Sequence, residues 1–497
     1  MNIAMFLQMA AEVCADRSAL TYEGRHYTYL ELFDSAKKAA ELFSNSDCQF
    51  ISVLDVSSPA VPVALMGAAM AGIPYVPLNY RLSPGQLNEL LVRIEPAYLV
   101  VDDGKIDDFK GAGAIVRGRE DFLSSLESSA SIEFTWAEDP SAVAIQLFTS
   151  GTTGAPKAAI LRHEHLVSYI LGTVEFMGAA EEHATLVAVP PYHIAGISAV
   201  MSSIYACRRI VQLPNFDPAV WLNLCANEKI SNAFVVPTML TRIIEEMEQS
   251  GFDTDSLNAL EAIAYGGGKM PVPVIERALD LMPHINFTNA YGLTETSSTI
   301  TLLDPDDHRH ALENDDPAIR SRLGSVGKAL PAVEIEIRDD DGNVLGPLEA
   351  GEIYVRGPQV SGEYLEKNAL IEDGWFPTRD AGHLDNDNYL YLSGRADDVI
   401  VRGGENISPA EIEDVLHNHA AIGDVAAVGI PSEEWGEAVA LAVVLKNNAV
   451  MTEDEIKSSL RAELRSSRVP EVIVFRSELP YTDTGKLLRR VVKTWFE

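Results

Sequence analysis

The stretch Thr149-Ser150-Gly151-Thr152-Thr153-Gly154-Ala155-Pro156-Lys157 combines side-chain hydroxyls, two glycines and a lysine within one short segment. Glycines let backbone N–H groups converge on one point without Cβ obstruction, and hydroxyls add further donors. A lysine supplies a point charge for phosphate oxygens. The apolar run Ala142–Phe148 enters the segment and reads as a buried strand. A glycine-rich loop after a strand is the usual setting of a phosphate cradle. The Walker pattern is excluded, because no Gly-Lys-Ser/Thr follows at its spacing.

Further groups of chemical interest follow along the chain. Pro190-Pro191-Tyr192-His193-Ile194-Ala195-Gly196 places an aromatic and a histidine in an apolar setting without a carboxylate. Tyr265-Gly266-Gly267-Gly268-Lys269 allows a flat ligand close to the backbone. In Asn289-Ala290-Tyr291-Gly292-Leu293-Thr294-Glu295-Thr296, Tyr291 is suited to stack a base and Thr294 to donate to a phosphate. Glu295 is a hard oxygen ligand suited to Mg²⁺, which shares protein carboxylates with phosphate oxygens. Gly374-Trp375-Phe376-Pro377-Thr378-Arg379-Asp380 and Ser393-Gly394-Arg395-Ala396-Asp397-Asp398 come next. Arg395 offers a rigid donor fork. Arg402-Gly403-Gly404-Glu405-Asn406 and Thr482-Asp483-Thr484-Gly485-Lys486-Leu487-Leu488-Arg489 complete the series.

Taken in this order, these segments resemble the motif set of the adenylate-forming superfamily, which includes acyl- and aryl-CoA ligases, peptide-synthetase adenylation domains and luciferases. The resemblance spans essentially the whole chain and is nearest to a small acyl-CoA synthetase. It implies that Thr149, Ser150, Gly151, Thr152, Thr153, Gly154 and Lys157 cradle phosphate, and that Lys486 is the adenylation lysine. It implies nucleotide contacts from Gly267, Gly268, Asn289, Ala290, Tyr291, Gly292 and Thr294, with Asp380 on the ribose and Arg395 on ribose or phosphate. Tyr192, His193, Val236, Gly267 and Gly268 are implied to bound the acid, with Glu295 on Mg²⁺. Gly403, Gly404 and Glu405 are implied to line the coenzyme A path, where Trp435 and Arg468 are candidates to contact that cosubstrate. Relatives place an aromatic-Lys-x-Pro segment there, and this chain has Ser467-Arg468-Val469-Pro470. Arg379 stands where the superfamily's Gly-Trp-x-x-Thr-Gly-Asp has its second glycine.

The resemblance also implies the architecture and the reaction. A large N-terminal domain, residues 1–394, would hold two α/β sheet layers and a distorted β-barrel, and a small mobile α+β domain, residues 395–497, would turn about Asp397. A carboxylate and ATP would give an acyl-adenylate and pyrophosphate. Thiol attack would then give a thioester with coenzyme A and release AMP. A fatty, alicyclic or aromatic acid suits the apolar pocket, with fatty acid metabolism as one setting. Transfer of the acyl group to a carrier protein and an inactive nucleotide-binding regulator are the alternatives.

Composition agrees with an ordinary globular protein. At 497 residues the chain has material for two or more domains. A net charge of −35 argues against nonspecific binding to nucleic acid or anionic membrane. It also requires a locally positive, backbone-lined pocket for any anionic substrate. Cys14, Cys48, Cys207 and Cys225 lack metal-ligand spacing and read as reduced thiols. No signal peptide is legible at Met1–Ala4, so a cytoplasmic protein is expected, with a homodimer one open assembly.

The elements that position these groups are legible in part. Ala19–Tyr22 and Arg25–Tyr29 read as a hairpin around Glu23-Gly24, and Tyr29–Phe43 has helical apolar spacing. Ser83-Pro84 starts a helix, while Pro59, Pro62, Pro74 and Pro77 divide the uncharged Val56–Tyr80 stretch into a buried helix and a strand. Ser408-Pro409-Ala410-Glu411 and Thr452/Glu455 read as capping boxes. Val425–Ile430 and Val439–Leu445 read as strands.

Overall fold

The computed structural model describes residues 1–109, 113–128, 134–136, 138–149, 156–395, 398–402, 405–432, 435–447, 449–482 and 487–496. The early elements form where local chemistry places them. Ser18–Tyr22 and Arg25–Thr28 pair antiparallel, with Glu23 at φ 47° and Gly24 at φ 81°. Two left-handed central residues match the twist of a tight hairpin. Thr28 and Glu31 then form a capping box that starts the helix Tyr29–Ser44. Ser83 caps the helix Pro84–Val92 in the same way. The uncharged stretch resolves into the helix Ala60–Ala71 and the strand Tyr75–Pro77. Among the described residues no helix is long and apolar enough to cross a membrane.

Two large sheets carry the N-terminal domain. Among the described residues, one has nine strands, with Ala262–Gly266 between Asn232–Val235 and Asn286–Leu293. The other has eight, including Val143–Thr149 paired with Lys157–Arg162. The helices Ala4–Val13, Tyr29–Ser44 and Ala60–Ala71 join both sheets into a single core, which takes Ile51 and Tyr75 from one sheet and Leu186 and Phe287 from the other. A four-stranded antiparallel sheet, Glu334–Arg338, Gly351–Arg356, Phe376–Leu384 and Leu390–Arg395, has its own core around Ile353, Val355 and Phe376.

The smaller C-terminal domain packs the helices Pro409–His417 and Glu453–Glu463 near the long hairpin Ile422–Ser432 and Gly436–Leu445. The Thr452/Glu455 capping box forms. The one expected at Ser408 does not, although the helix starts there with Pro409 in its first turn. Ser408 Oγ donates instead to the Ser393 carbonyl at 2.6 Å, and Glu411 pairs with Arg468 at 3.2 Å. Both groups have partners from distant chain, which displace the local reciprocal bonds.

Candidate active site

The site is assembled from the C-terminal ends of parallel strands and the loops that follow them. Ala262–Gly266 and Asn286–Leu293 run side by side, with Gly266 opposite Ala290. A Cβ at Gly266 would lie 2.1 Å from the Ala290 carbonyl, so only glycine fits there. Gly267 follows at φ 81°, which turns the chain away from the sheet edge. Val236, at the start of the helix Pro237–Ser250, lies 3.5 Å from the position a Gly267 Cβ would take. Asn289 donates through Nδ2 to the Ser325 carbonyl at 3.0 Å.

Asp380 sits at the centre of the polar half. Tyr291 Oη donates to its Oδ2 at 2.7 Å, and Arg395 Nη1 reaches its Oδ1 at 2.8 Å. Asp380 and Arg395 are opposite each other on adjacent antiparallel strands, which fixes the pair. Burial, followed by the Asp380 charge, pushes the Tyr291 phenol well above its ordinary pKa, so it is a neutral donor.

Arg379, in the position where the superfamily has glycine, adopts φ 62°. The left-handed conformation that glycine would supply is therefore retained and imposed on an arginine. Its amide donates to Glu352 Oε1 at 3.1 Å, while the side chain is exposed and 3.8 Å from Glu352 Oε2.

Glu295 lies in the 3₁₀ turn Thr294–Thr296 after the strand, and it is buried. Tyr364 Oη donates to Glu295 Oε1 at 2.5 Å. Lys157 Nζ stands 5.7 Å from the centroid of the same tyrosine ring. Burial and the Glu295 charge push the Tyr364 phenol upward, so it too remains protonated. Thr149 and Lys157 face each other across an antiparallel pair, which holds the two ends of the intervening loop together. Tyr364 was missed by the sequence reading, since no glycine or motif spacing marks its segment.

The apolar half is bounded by Tyr192 and His193, whose rings are 4.5 Å apart, with Tyr80 edge-on to Tyr192 at 5.3 Å. Tyr192, His193, Tyr291, Glu295, Tyr364, Lys157, Asp380 and Arg395 line one cavity of about 2120 Å³, together with Val236, Gly267, Gly268, Asn289 and Thr294. The small domain reaches the same cavity through Glu413, Asp414, Tyr481 and Arg489. Lys269 Nζ bridges to Asp414 Oδ2 at 2.7 Å, linking the glycine loop to the helix Pro409–His417.

Ser150, Gly151, Thr152, Thr153, Gly154, Asp397, Gly403, Gly404, Lys486 and the side chain of Glu405 lie outside the described residues. Trp435 is exposed, under the Arg402 guanidinium at 5.4 Å. Arg468 is 9% exposed, and its Nε pairs with Glu411. That ion pair occupies the charge expected to face a coenzyme A phosphate.

Comparison with known proteins agrees with this geometry. The profile of AMP-binding enzymes matches residues 7–365, and that of the AMP-binding enzyme C-terminal domain matches residues 411–486. A 2-succinylbenzoate–CoA ligase from Bacillus cereus is 30% identical over 499 residues, covering 99% of this chain and 98% of the relative. The o-succinylbenzoate CoA synthetase of Bacillus subtilis, solved with the acyl-adenylate OSB-AMP, is 28% identical with a TM-score of 0.85, over 98% of this chain and 97% of that one. ATP-bound MatB from Rhodopseudomonas palustris is 26% identical with a TM-score of 0.89, over 100% and 99% of the two chains. The chain belongs to the family of AMP-binding enzymes of the adenylate-forming superfamily.

Proposed function

We propose that this protein is an ATP-dependent acid–CoA ligase that activates an aromatic carboxylic acid as its acyl-adenylate and transfers it to coenzyme A. The observation that carries this reading is the convergence of the Tyr291–Asp380–Arg395 cluster and the Glu295–Tyr364 pair on one cavity whose other half is apolar. The acid named for the Bacillus relatives supports an aromatic substrate. The apolar lining from Tyr192 and Val236 also suits fatty or alicyclic acids, so these belong in the test panel.

The chemistry follows from charge. A carboxylic acid with a pKa near 4–5 is already ionised at neutral pH, so adenylation needs no general base. It needs neutralisation as two anions meet, which Lys157, Lys486 and the N–H groups of the loop between Thr149 and Lys157 supply. Asp380, held by Tyr291 and Arg395, orients the ribose hydroxyls. Glu295 fits Mg²⁺, because Tyr364 fixes one carboxylate oxygen and the residue lines the phosphate end of the cavity. When bound, that ion supplies charge neutralisation on the phosphates.

The division into residues 1–394 and 395–497, with a hinge near Asp397, is part of the same proposal. Rotation of the small domain would withdraw Lys486 after adenylation and bring Gly403 and Gly404 to the pocket mouth. Entry of coenzyme A past Arg468 requires its pair with Glu411 to open. The use of ATP and coenzyme A supports a cytoplasmic setting as part of this proposal.

The test is ATP–pyrophosphate exchange across a panel of aromatic, alicyclic and fatty acids, repeated as thioester formation with coenzyme A. Exchange and thioester formation with an aromatic acid are expected. Lys486→Ala should lower exchange by roughly two orders of magnitude and spare thioester formation from supplied acyl-adenylate. Exchange without any thioester would overturn the ligase reading in favour of transfer to a carrier protein.

A further inference from the structure

The deep end of the acid cavity holds a cation that the adenylation chemistry does not use. The helix Ile194–Tyr205 ends with Cys207 at φ 54°, and the Arg208 amide bonds back to the Ser203 carbonyl at 2.8 Å. This left-handed cap fixes the direction in which the chain leaves the helix. Arg208 lines the cavity there with Thr185, Ser198, Ser202, Ser203 and Asn232.

Apart from Ser202, whose Oγ donates to the Ala199 carbonyl at 3.3 Å, these groups are donors with little to donate to. Arg208 forms no ion pair among the described residues, and its Nη1 makes one long contact, 3.5 Å, to Thr185 Oγ1. Its buried Nε has no hydrogen-bond partner, nor do the buried hydroxyls of Ser198 and Ser203. Asn232 accepts from Ser231 at 2.7 Å through its oxygen, and its amide nitrogen is a further donor at the cavity wall. Tyr29 sits at Arg208 as a neutral phenol that donates to its carbonyl, and Glu261 attracts it from a distance while pairing with His183. Burial depresses the guanidinium pKa, the sign of a cation without a close counter-charge. A largely buried, unpaired guanidinium is costly unless something anionic completes it.

Its distance from the reaction centre follows from strand register. Asn232 is opposite Ala262, at the N-terminal end of the strand whose C-terminal end is Gly266. Four residues at about 3.3 Å each separate the two ends by roughly 13 Å. That is room for an acid of roughly ten bonded atoms lying along the sheet.

We infer that Arg208, with the donors of Thr185, Ser198, Ser203 and Asn232, binds a second carboxylate at the far end of the substrate, making the enzyme selective for dicarboxylic acids. The inference rests on the acid-ligase reading above and specifies its substrate class. A protein of net charge −35 repels a dianion, so a local buried cation is what admits one. The rigid guanidinium fork suits a carboxylate better than any neutral polar group would.

The test uses matched pairs that differ by one carboxylate far from the reacting one: 4-(4-carboxyphenyl)butanoate against 4-phenylbutanoate, and nonanedioate against nonanoate. Pyrophosphate exchange should favour the diacid in kcat/KM by roughly tenfold or more in at least one pair. Arg208→Met should bring that ratio to about one, acting mainly through KM. Thermal stabilisation by the preferred diacid alone should disappear in the same variant. A wild-type ratio near one in both pairs overturns the inference while leaving the ligase reading intact, and decides the matter even where Arg208→Met fails to fold. A ratio that survives Arg208→Met also overturns it. Absence of exchange with every acid would instead remove the ligase reading on which it rests.

Discussion

Tyr291 and Asp380, 89 residues apart in the chain, meet through a 2.7 Å hydrogen bond in which the phenol donates to the carboxylate. The Arg395 contact to the other oxygen leaves Asp380 held from two sides, with its orientation set before any ligand arrives. Such preorganisation places the cost of ordering the side chain in folding rather than in binding.

If Asp380 grips the ribose in this orientation, loosening it should weaken ATP binding. Removing a hydrogen bond to a charged group costs about 1.5–3 kcal/mol, so Tyr291→Phe should raise the KM for ATP roughly tenfold or more. Asp380→Ala should raise it further. Exchange kinetics at varied ATP check this, and an unchanged KM in both variants would remove Asp380 from the nucleotide site.

Arg379 pays for its left-handed backbone. A non-glycine residue there costs about 1–2 kcal/mol, part of which glycine would lose again through the entropy of the unfolded chain. Its exposed pair with Glu352 contributes little. Arg379→Gly should therefore stabilise the protein by up to about 1 kcal/mol, and Arg379→Val should destabilise it by a similar or larger amount. Urea unfolding of the two variants measures the sign of each effect.

Arg489 is enclosed in the small domain, where both its terminal nitrogens engage the Glu413 carboxylate and Nη1 also donates to the Ala427 carbonyl at 2.7 Å. Glu413 Oε1 further accepts from the Ala427 amide at 2.7 Å. Glu413→Ala leaves the buried guanidinium with the looser Asp398 contact at 3.8 Å as its carboxylate partner and should cost about 3 kcal/mol. An early unfolding transition of the small domain in denaturant is the expected signature. Superimposable wild-type and variant curves would show that the pair contributes nothing net.

His163 gives the stability a pH dependence. It is 1% exposed, accepts the Ile3 amide at 3.3 Å through Nδ1, and burial lowers its pKa to about 4. The unfolded chain, with a histidine pKa near 6.5, binds more protons between these values, so stability falls as pH drops from about 6.5 to 4. The full loss below that window is roughly 3 kcal/mol for this group. Unfolding free energies of wild type and His163→Asn across pH should converge as the pH falls. A constant difference would place the titration elsewhere.

The elements whose ends are set by neighbouring residues were legible without a structure. Glu23-Gly24 needs left-handed backbone, Thr28 meets Glu31 one turn away, and Ser83 precedes Pro84. These signals act over three or four residues, so the rest of the fold has little power to change them. The motif segments Asn289–Thr296 and Thr149–Lys157 were legible for a related reason, because glycine and hydroxyl requirements of a ligand are written into consecutive residues. The tertiary structure decided what came from afar. Ser408 and Glu411 satisfy every local rule for a capping box, yet Ser393 and Arg468 take their polar groups. Tyr364 reaches Glu295 from 69 residues away, and Arg208 faces the deep pocket because a helix cap turned it there. Competition between a local and a distant hydrogen bond is settled by which groups the packed layers bring within about 3 Å, and sequence spacing carries no record of that distance.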